Sequence, residues 1–362
     1  MRILQVYKDV HPFVRGGIER YIHDLSRYLA ARGHEVDVLV AGDGVSEEVS
    51  GFNVIKYPCL CRILSNPISP RLLRILKTIP ADVLHFHLPL PSAVAAWMLA
   101  GRDTPYVVTY HSDIVRQAFF LPVYGPLLRR FLRGAAGVIA TSGAYRDTSK
   151  YLSVLENTEV IPIGSDLDVF RPPDKVKEGD YILFVGRFRK YKGIEVLLDA
   201  WDEFPERRLL MVGGGPLEDD VRRRIQKKNL NILIVSNPSD QELVELYQQA
   251  RCLVLPSTLR SEAFGMVQTE AMACGIPVIS TALPTGVPWV NASGVSGLVI
   301  PPGDSGALAD AVRKLDDPVL RSKLAEGALE RAERCFNAPE LFAQVESLLE
   351  GSSRCGKPLK RE

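Results

Sequence analysis

The sequence predicts an α/β protein made of two doubly wound domains. Three observations carry that prediction. Short β-rich apolar runs alternate with helical patterns along the chain, as parallel strands covered by helices on both faces do. The alternation stops once, at a charged connector bearing Pro172-Pro173, and then starts again. And 362 residues exceed one average domain but suffice for two, each with its own core.

The first series of strands is expected at 3–6, 36–40, 54–57, 83–86, 107–110, 138–141 and 160–163, each a run of β-branched or aromatic residues. Helices open between them near Gly17, Pro70, Pro91, Ile114 and Ala144. The second series has strands at 181–185, 209–212, 232–235, 252–255, 278–280 and 298–300, with helices opening near Lys192, Pro216, Asp240, Phe264, Ser305 and Pro318. Domains are therefore expected at 1–165 and 181–338, joined by an exposed hinge at 166–180. A helix at 339–350 is free to cross back to the first domain, and a Gly/Ser/Lys-rich tail at 351–362 is expected to be flexible. Doubly wound sheets hold ligands at the carboxyl ends of their strands, so two such domains facing each other would leave a cleft.

Composition sets the class. Apolar content of 46% and charged content of 24% are those of an ordinary soluble protein. A formal net charge of +1 gives no global field toward nucleic acid. Residues 51–150 nevertheless hold twelve Lys/Arg against four Asp/Glu, so the basic excess sits in one half. The six cysteines are scattered, with no paired CxxC units, which implies neither zinc nor a disulfide framework and fits a reducing cytosol. The first residues run straight into a strand, leaving no room for a signal peptide, and no apolar run of about 20 residues exists to span a bilayer.

The segment 261–270, Ser-Glu-Ala-Phe-Gly-Met-Val-Gln-Thr-Glu, is the most informative in the chain. Glu262 falls in a loop and Glu270 within the helix that the loop opens. A helix start offers unpaired N–H groups and partial positive charge. Two acidic side chains eight positions apart can accept from hydroxyls on different parts of one long ligand. Further along the same logic, Gly186 follows a strand and precedes Arg187 and Lys192. Arg grips a diphosphate with two parallel bonds, and Lys adds a compact charge. A solvated basic turn is the competing reading of that segment taken alone; beside 261–270, phosphate is preferred.

Gly213-Gly-Gly-Pro216 is not a dinucleotide fingerprint and reads as a strand-to-helix turn. Residues 236–240 either edge a nucleobase or cap a helix at Ser239 or Asp240. Arg15-Gly16-Gly17-Ile-Glu19 stands at a helix entrance, either a plain turn or backbone N–H groups approaching a phosphate or acceptor. All six histidines lie in the first half. His85 and His87 share one strand face; without a third ligand they read as a polar strand end rather than a metal site. His111 ends the strand 107–110 and is expected to face the cleft. Residues 114–133 mix Phe119, Phe120, Leu127, Leu128, Phe131 and Leu132 with Arg116, Arg129, Arg130 and Arg133. Residues 58–78 share that character, and both suit contact with anionic lipid; a core-facing helix with basic outer residues is the alternative.

These segments together resemble the retaining glycosyltransferases of the GT-B fold, family 4, whose mark is the E-x7-E segment. The resemblance spans nearly the whole chain, from Gly16-Gly17 through 138–142 and 160–164 to 301–304. Lys8, residues 109–114, 260–265 and Thr285-Gly286 resemble the bacterial mannosyltransferases of O-antigen and related surface polysaccharides. The resemblance implies an acceptor-binding first domain and a nucleotide-sugar-binding second domain. It gives Arg187 and Lys192 to the donor diphosphate and Glu270 to the ribose. Glu262, with the backbone of Ala263, Phe264 and Gly265, goes to the donor sugar. His111 goes beside the reacting carbon, and Gly16 and Gly17 near phosphates or acceptor. Pro284, Pro288 and Ser236 depart from the pattern, in loops that would shape the sugar and base pockets.

The expected activity is metal-independent transfer of a hexose, mannose from GDP-mannose, with retention. No cofactor is expected beyond that donor substrate. A lipid-linked saccharide is the expected acceptor, met by a cytoplasmic protein peripheral on the inner membrane face. The alternatives are a UDP-sugar donor (glucose, galactose or N-acetylglucosamine) and a non-catalytic partner subunit that keeps the fold. A two-carboxylate glycosidase would leave Arg187 and Lys192 without a task.

Overall fold

The computed structural model describes residues 1–114, 120–173 and 180–355. It contains two compact units, Met1–Ile161 with the described part of Pro339–Glu362, and Pro162–Ala338. In the first unit the order is β1 (Arg2–Val6), α1 (Gly17–Ala31), β2 (Glu35–Gly42), β3 (Ser46–Val49), β4 (Phe52–Pro58), β5 (Cys61–Ile63), β6 (Asn66–Ile68) and α2 (Pro70–Thr78). There follow β7 (Val83–Leu88), α3 (Pro91–Ala100), β8 (Tyr106–Tyr110), α4 (Leu121–Arg133), β9 (Gly137–Ala140), α5 (Gly143–Thr148) and β10 (Thr158–Val160). Eight strands form one sheet in the order β10-β9-β8-β7-β1-β2-β4-β3, parallel except for β3, which runs antiparallel to β4. The order reverses direction between β1 and β7, so the ligand-binding crevice of this sheet lies at their carboxyl ends.

The core follows from sequence periodicity. Val83, Leu84, Phe86 and Leu88 of β7 are fully buried because helices cover both faces. Helix α1 turns Tyr21, Ile22, Leu25 and Leu29 inward, an apolar stripe at helical spacing.

Departures from the sequence reading have local causes. The strand foreseen at 160–163 stops at Val160, because Pro162 has no N–H for a ladder bond. The helix start expected near Ile114 borders residues outside the described ones; among the described residues α4 begins at Leu121, with a proline in its first turn. Residues 115–119, including Arg116 and Phe119, lie outside the described residues. Within α4, Leu128, Phe131 and Leu132 are buried while Arg129, Arg130 and Arg133 are exposed. The helix therefore spends its apolar face on the core, as the alternative reading had it. Strand β3 is a polar edge strand. The β5–β6 hairpin turns on Leu64 and Ser65 at φ 52° and 70°, where the usual sequence signal would be Asn-Gly.

The second unit runs β11 (Tyr181–Val185), a 3₁₀ turn (Lys190–Lys192), α6 (Ile194–Trp201), β12 (Leu209–Val212), α7 (Glu218–Lys228), β13 (Ile232–Val235) and α8 (Asp240–Gln248). It continues with β14 (Ala250–Leu255), α9 (Met266–Ala273), β15 (Val278–Thr281), α10 (Val287–Val290), β16 (Gly297–Ile300), α11 (Ser305–Lys314) and α12 (Pro318–Cys335). Its six parallel strands lie in the order β13-β12-β11-β14-β15-β16, with the reversal between β11 and β14. Phe184, Phe188, Leu197, Trp201, Leu308 and Leu324 anchor its core. Ser165, placed by expectation in the first domain, and residues 166–171 of the expected hinge are held in this unit. Ser165 N donates to Phe336 O at 2.9 Å and Ala338 N to Ser165 O at 3.1 Å. The Phe170 ring packs edge-on to Tyr247.

The last helix, α13 (Ala338–Cys355), packs in the first unit from Pro339 onward. Phe342 meets the rings of Tyr21 and Tyr28 on α1, and Glu346 binds His34 at 2.8 Å and Arg32 at 3.2 Å. The helix also claims residues 351–355 of the expected flexible tail. There Ser352 Oγ donates to Leu348 O and Arg354 pairs with Glu350 one turn back. The rest of that tail lies outside the described residues.

Candidate active site

In the second unit the reversal point is lined by two loops, the turn after β11 and the loop after β14. Gly193 brings them together. It adopts φ 69°, and a Cβ there would strike the Pro256 carbonyl oxygen, so only glycine allows this approach. Thr258 N then donates to Tyr191 O at 2.8 Å. The contact delivers Lys192 Nζ to Glu262 Oε2 at 2.6 Å, with both residues buried. Ser257 Oγ donates to the same carboxylate oxygen at 3.0 Å, and Thr281 Oγ1 fixes the Ser257 carbonyl at 2.6 Å. Burial opposes the charge on Lys192, but Glu262 outweighs it, so the ammonium's pKa ends above its ordinary value.

Glu270 is held from another side. Its Oε2 accepts from the Tyr247 hydroxyl at 2.6 Å, and burial, followed by Glu270 itself, pushes the Tyr247 phenol well above its ordinary pKa.

Between the two glutamates, Gly265 sits at φ 76° as the N-cap of α9, with no side-chain cap bond. Gln268 Nε2 donates to Phe264 O at 2.8 Å, and Gly286 N to Ala263 O at 2.8 Å. Among the described residues, no protein acceptor pairs with the N–H groups of Ala263, Phe264 and Gly265. Three successive amides at a helix entrance make a seat for ligand oxygens.

Arg187 is exposed at the end of β11. The glycines around it serve a different contact from the one their sequence positions suggested. A Cβ on Gly213 would strike the Gly186 carbonyl oxygen, and one on Gly215 would meet the Phe188 backbone. The loops after β11 and β12 thus lie backbone to backbone, joined by Phe188 N donating to Gly214 O at 2.8 Å. Ser239 caps α8 in a reciprocal box with Glu242, which is the capping alternative for residues 236–240.

In the first unit, Gly16 is the extended N-cap of α1, and the Glu19 carboxylate fills the space its Cβ would take. Gly17 is exposed. His111 follows β8, and its backbone N–H is held by Leu88 O at 3.0 Å. His85, His87 and His111 form a buried column. His85 bonds Thr109 Oγ1 at 2.7 Å, His87 Nδ1 meets His111 Nε2 at 3.1 Å, and His87 Nε2 meets Gln5 Oε1 at 2.8 Å. Tyr21 packs edge-on to both His87 and His111. Burial drives the pKa of His85 and His111 down to about 3 and that of His87 well below its usual value; all three rings are neutral.

The structure thus brings Lys192, Glu262 and 263–265 together around one loop and holds Glu270 on the helix behind it. Tyr247, Ser257, Gln268 and Gln5, to which sequence reasoning gave no role, support the named residues, as does His87, which it read as part of a polar strand end. Ser257 had a signal, as a small polar residue just past a strand. Tyr247 had none, since only the packing of α8 on α9 brings it to Glu270.

Two doubly wound units, the second with a cation and two carboxylates near its sheet-reversal point, define a GT-B glycosyltransferase. Residues 15–169 match the family described as Glycosyltransferase Family 4, and residues 167–331 match Glycosyl transferases group 1. The O-antigen chain mannosyltransferase C of Escherichia coli is 38% identical, covering 94% of this chain and 96% of that protein. The D-rhamnosyltransferase WbpZ of Pseudomonas aeruginosa is 33% identical, with 93% of each covered. Among solved structures, the sucrose-phosphate synthase of Thermosynechococcus elongatus superposes with a TM-score of 0.81 at 26% identity, over 97% of this chain and 98% of that one. Anabaena Alr3699/HepE in complex with UDP-glucose superposes at 0.78 and 22% identity, over 97% and 100%. The chain belongs to glycosyltransferase family 4.

Proposed function

We propose that this glycosyltransferase moves mannose from GDP-mannose onto a lipid-linked saccharide in surface-polysaccharide synthesis, with retention at the anomeric carbon and without a divalent ion. The printed activity of the Escherichia coli relative supports the sugar and the O-antigen context. The observation that carries the chemistry is the buried Lys192–Glu262 pair beside three free backbone amides.

A nucleoside diphosphate leaves as a polyanion, so the barrier falls if fixed positive charge meets it. Lys192 and Arg187 would take the diphosphate, with α9 adding its N-terminal dipole. Released from Lys192, Glu262 would accept from sugar hydroxyls alongside the amides of 263–265, while Glu270 accepts from the ribose. His111 stands beside the sugar, with Gly16 and Gly17 near the phosphates or acceptor. The leaving phosphate itself takes the acceptor proton on the same face, so neither glutamate acts as base. A UDP-sugar donor is the second reading, favoured by the UDP-glucose complex of the Anabaena protein.

Peripheral contact with the inner face of the cytoplasmic membrane belongs to the same proposal. No helix of the described residues is long and apolar enough to cross a membrane. The β5–β6 hairpin instead offers Leu60, Ile63 and Leu64 at 78%, 53% and 51% exposure, and α2 presents Arg71, Arg74 and Lys77 outward.

Thermal-shift screening with GDP- and UDP-sugars tests the donor, since a ligand at 100 times its Kd stabilises by about 2.7 kcal/mol. GDP-mannose should stand out, turn over in the presence of EDTA, and yield an α-linked product by NMR. Lys192→Ala should lower kcat about 10²- to 10³-fold. Near-normal turnover in that variant would remove the assignment.

A further inference from the structure

Gln268 is fully buried on α9, where an apolar side chain of the same length would pack without a polar cost. Its amide is present all the same, and its orientation is fixed. Nε2 donates to Phe264 O at 2.8 Å; a carbonyl can only accept, so Oε1 is turned the other way. There Oε1 is buried without a partner among the described residues. A buried acceptor left unpaired destabilises a fold, so packing does not account for the glutamine. The bond to Phe264 does.

That bond acts on more than a carbonyl. Phe264 O and the Gly265 N–H belong to one peptide group, planar and trans. Its oxygen and its hydrogen point in opposite directions, so fixing the oxygen aims the hydrogen. With the oxygen drawn to the buried Gln268 amide, the Gly265 N–H is directed away from it. The preceding peptide is fixed in the same manner, by Gly286 N donating to Ala263 O at 2.8 Å. Glycine at 265 is what lets the amide sit there, since a Cβ would lie 2.8 Å from Gln268 Nε2 and 2.6 Å from Leu255 Cδ2. The same glycine would let an unheld peptide turn over, because it crosses easily between left- and right-handed backbone. Gly265 is buried, yet its N–H meets no protein acceptor among the described residues. Buried backbone donors are rarely left so, and an outside oxygen would complete this one.

We propose that Gln268 is a positioning residue for the donor. It holds the 264–265 peptide so that the Gly265 N–H donates to an oxygen of the nucleotide sugar, on its sugar or its diphosphate. The ligand rests on the transferase reading; the hold on the peptide does not.

Gln268→Met keeps the length of the side chain without its donor, and Gln268→Leu removes the donor with a different shape. Crystal structures without ligand should show one orientation of the 264–265 peptide in the wild type. In the variants the peptide should be turned over or divided between two orientations. By calorimetry both variants should bind GDP-mannose about tenfold more weakly, the worth of one ordered hydrogen bond. Their melting temperatures should stay near that of the wild type, because the unpaired acceptor leaves with the amide. A role in packing alone would instead lower the melting temperature and spare the affinity, which would overturn the proposal. GDP measured beside GDP-mannose locates the contact. A loss confined to GDP-mannose places it on the sugar, and an equal loss with GDP places it on the diphosphate. Unchanged affinity in a folded variant overturns the proposal. So does a wild-type complex in which the Gly265 N–H faces no ligand oxygen, a result that needs no variant. If the wild type binds no sugar nucleotide, the donor reading fails; the ligand-free structures still decide the hold, and an unmoved peptide in the variants overturns it.

Discussion

At the scale of single residues, burial decides which of the many charged side chains matter. Arg208–Asp180 and Arg334–Glu330 are exposed ion pairs and contribute little in water. Lys192–Glu262 is different, because both partners have left solvent. Tyr247→Phe should raise the KM for the nucleotide sugar about five- to tenfold with kcat nearly unchanged, since the Glu270 carboxylate is then free to rotate away from the ribose. Steady-state kinetics distinguish this from a chemical role, in which kcat would fall instead. Gly193→Ala should cost about 1–3 kcal/mol of stability from its left-handed backbone alone. Its clash with the Pro256 carbonyl should also displace Lys192, so a urea titration and an activity assay should both show the loss. Lys192 and Glu262 were marked as candidates in the sequence by residue type and spacing. Their pairing with each other was not, since it needs two loops 70 positions apart to meet.

At the scale of elements, the apolar runs marked the core strands well and the edges poorly. Strand β11 is a continuous apolar run, and β7 is one broken by His85 and His87, because both their faces are covered. The edge strand β3 and the hairpin β5–β6 carry polar or basic residues and a glycine-free turn, so nothing in their pattern marks them. Helix α13 was legible as a helix from its periodicity, yet its length was not, because side-chain bonds in its last turn extend it past Gly351. Its grip on α1 is testable through pH. The Glu346 carboxyl is buried, which opposes its charge, but His34 and then Arg32 hold its pKa below the usual 4.5. A carboxyl depressed in the folded state stabilises above the unfolded value and stops doing so as pH falls through the folded one. Glu346→Gln should therefore lose about 1–3 kcal/mol at neutral pH, and the gap to wild type should close as pH drops below 4.5. Thermal melts across that range check it; a gap independent of pH would mean that packing of Phe342, and not the charge, secures the helix.

At the scale of the whole molecule, a net charge of +1 conceals a division, with the basic excess confined to residues 51–150. Part of that excess is already spent. Arg62 forms a two-pronged pair with Asp9 at 2.7 and 3.0 Å, so the proposed membrane contact would draw on the hairpin's leucines more than on its arginine. Replacing both Leu60 and Leu64 by Ser should reduce cosedimentation with phosphatidylglycerol vesicles severalfold while leaving the melting temperature in place, because neither side chain contributes to the core. Raising salt should weaken the binding of both proteins, through α2 and the outer arginines of α4. Equal binding by the double variant would move the contact elsewhere.

The sequence by itself determined the class of fold, two doubly wound domains with glycine-marked turns, because covered parallel strands and helix entrances impose their patterns on any chain that forms them. It also marked the residue types of the candidate site, fixed cations suited to phosphate and carboxylates suited to sugar hydroxyls. Tertiary structure alone decided which of those groups meet and which glycines face backbone in place of ligand. Those outcomes depend on atoms from distant segments lying within a hydrogen bond of one another, and no local pattern of residues encodes that distance.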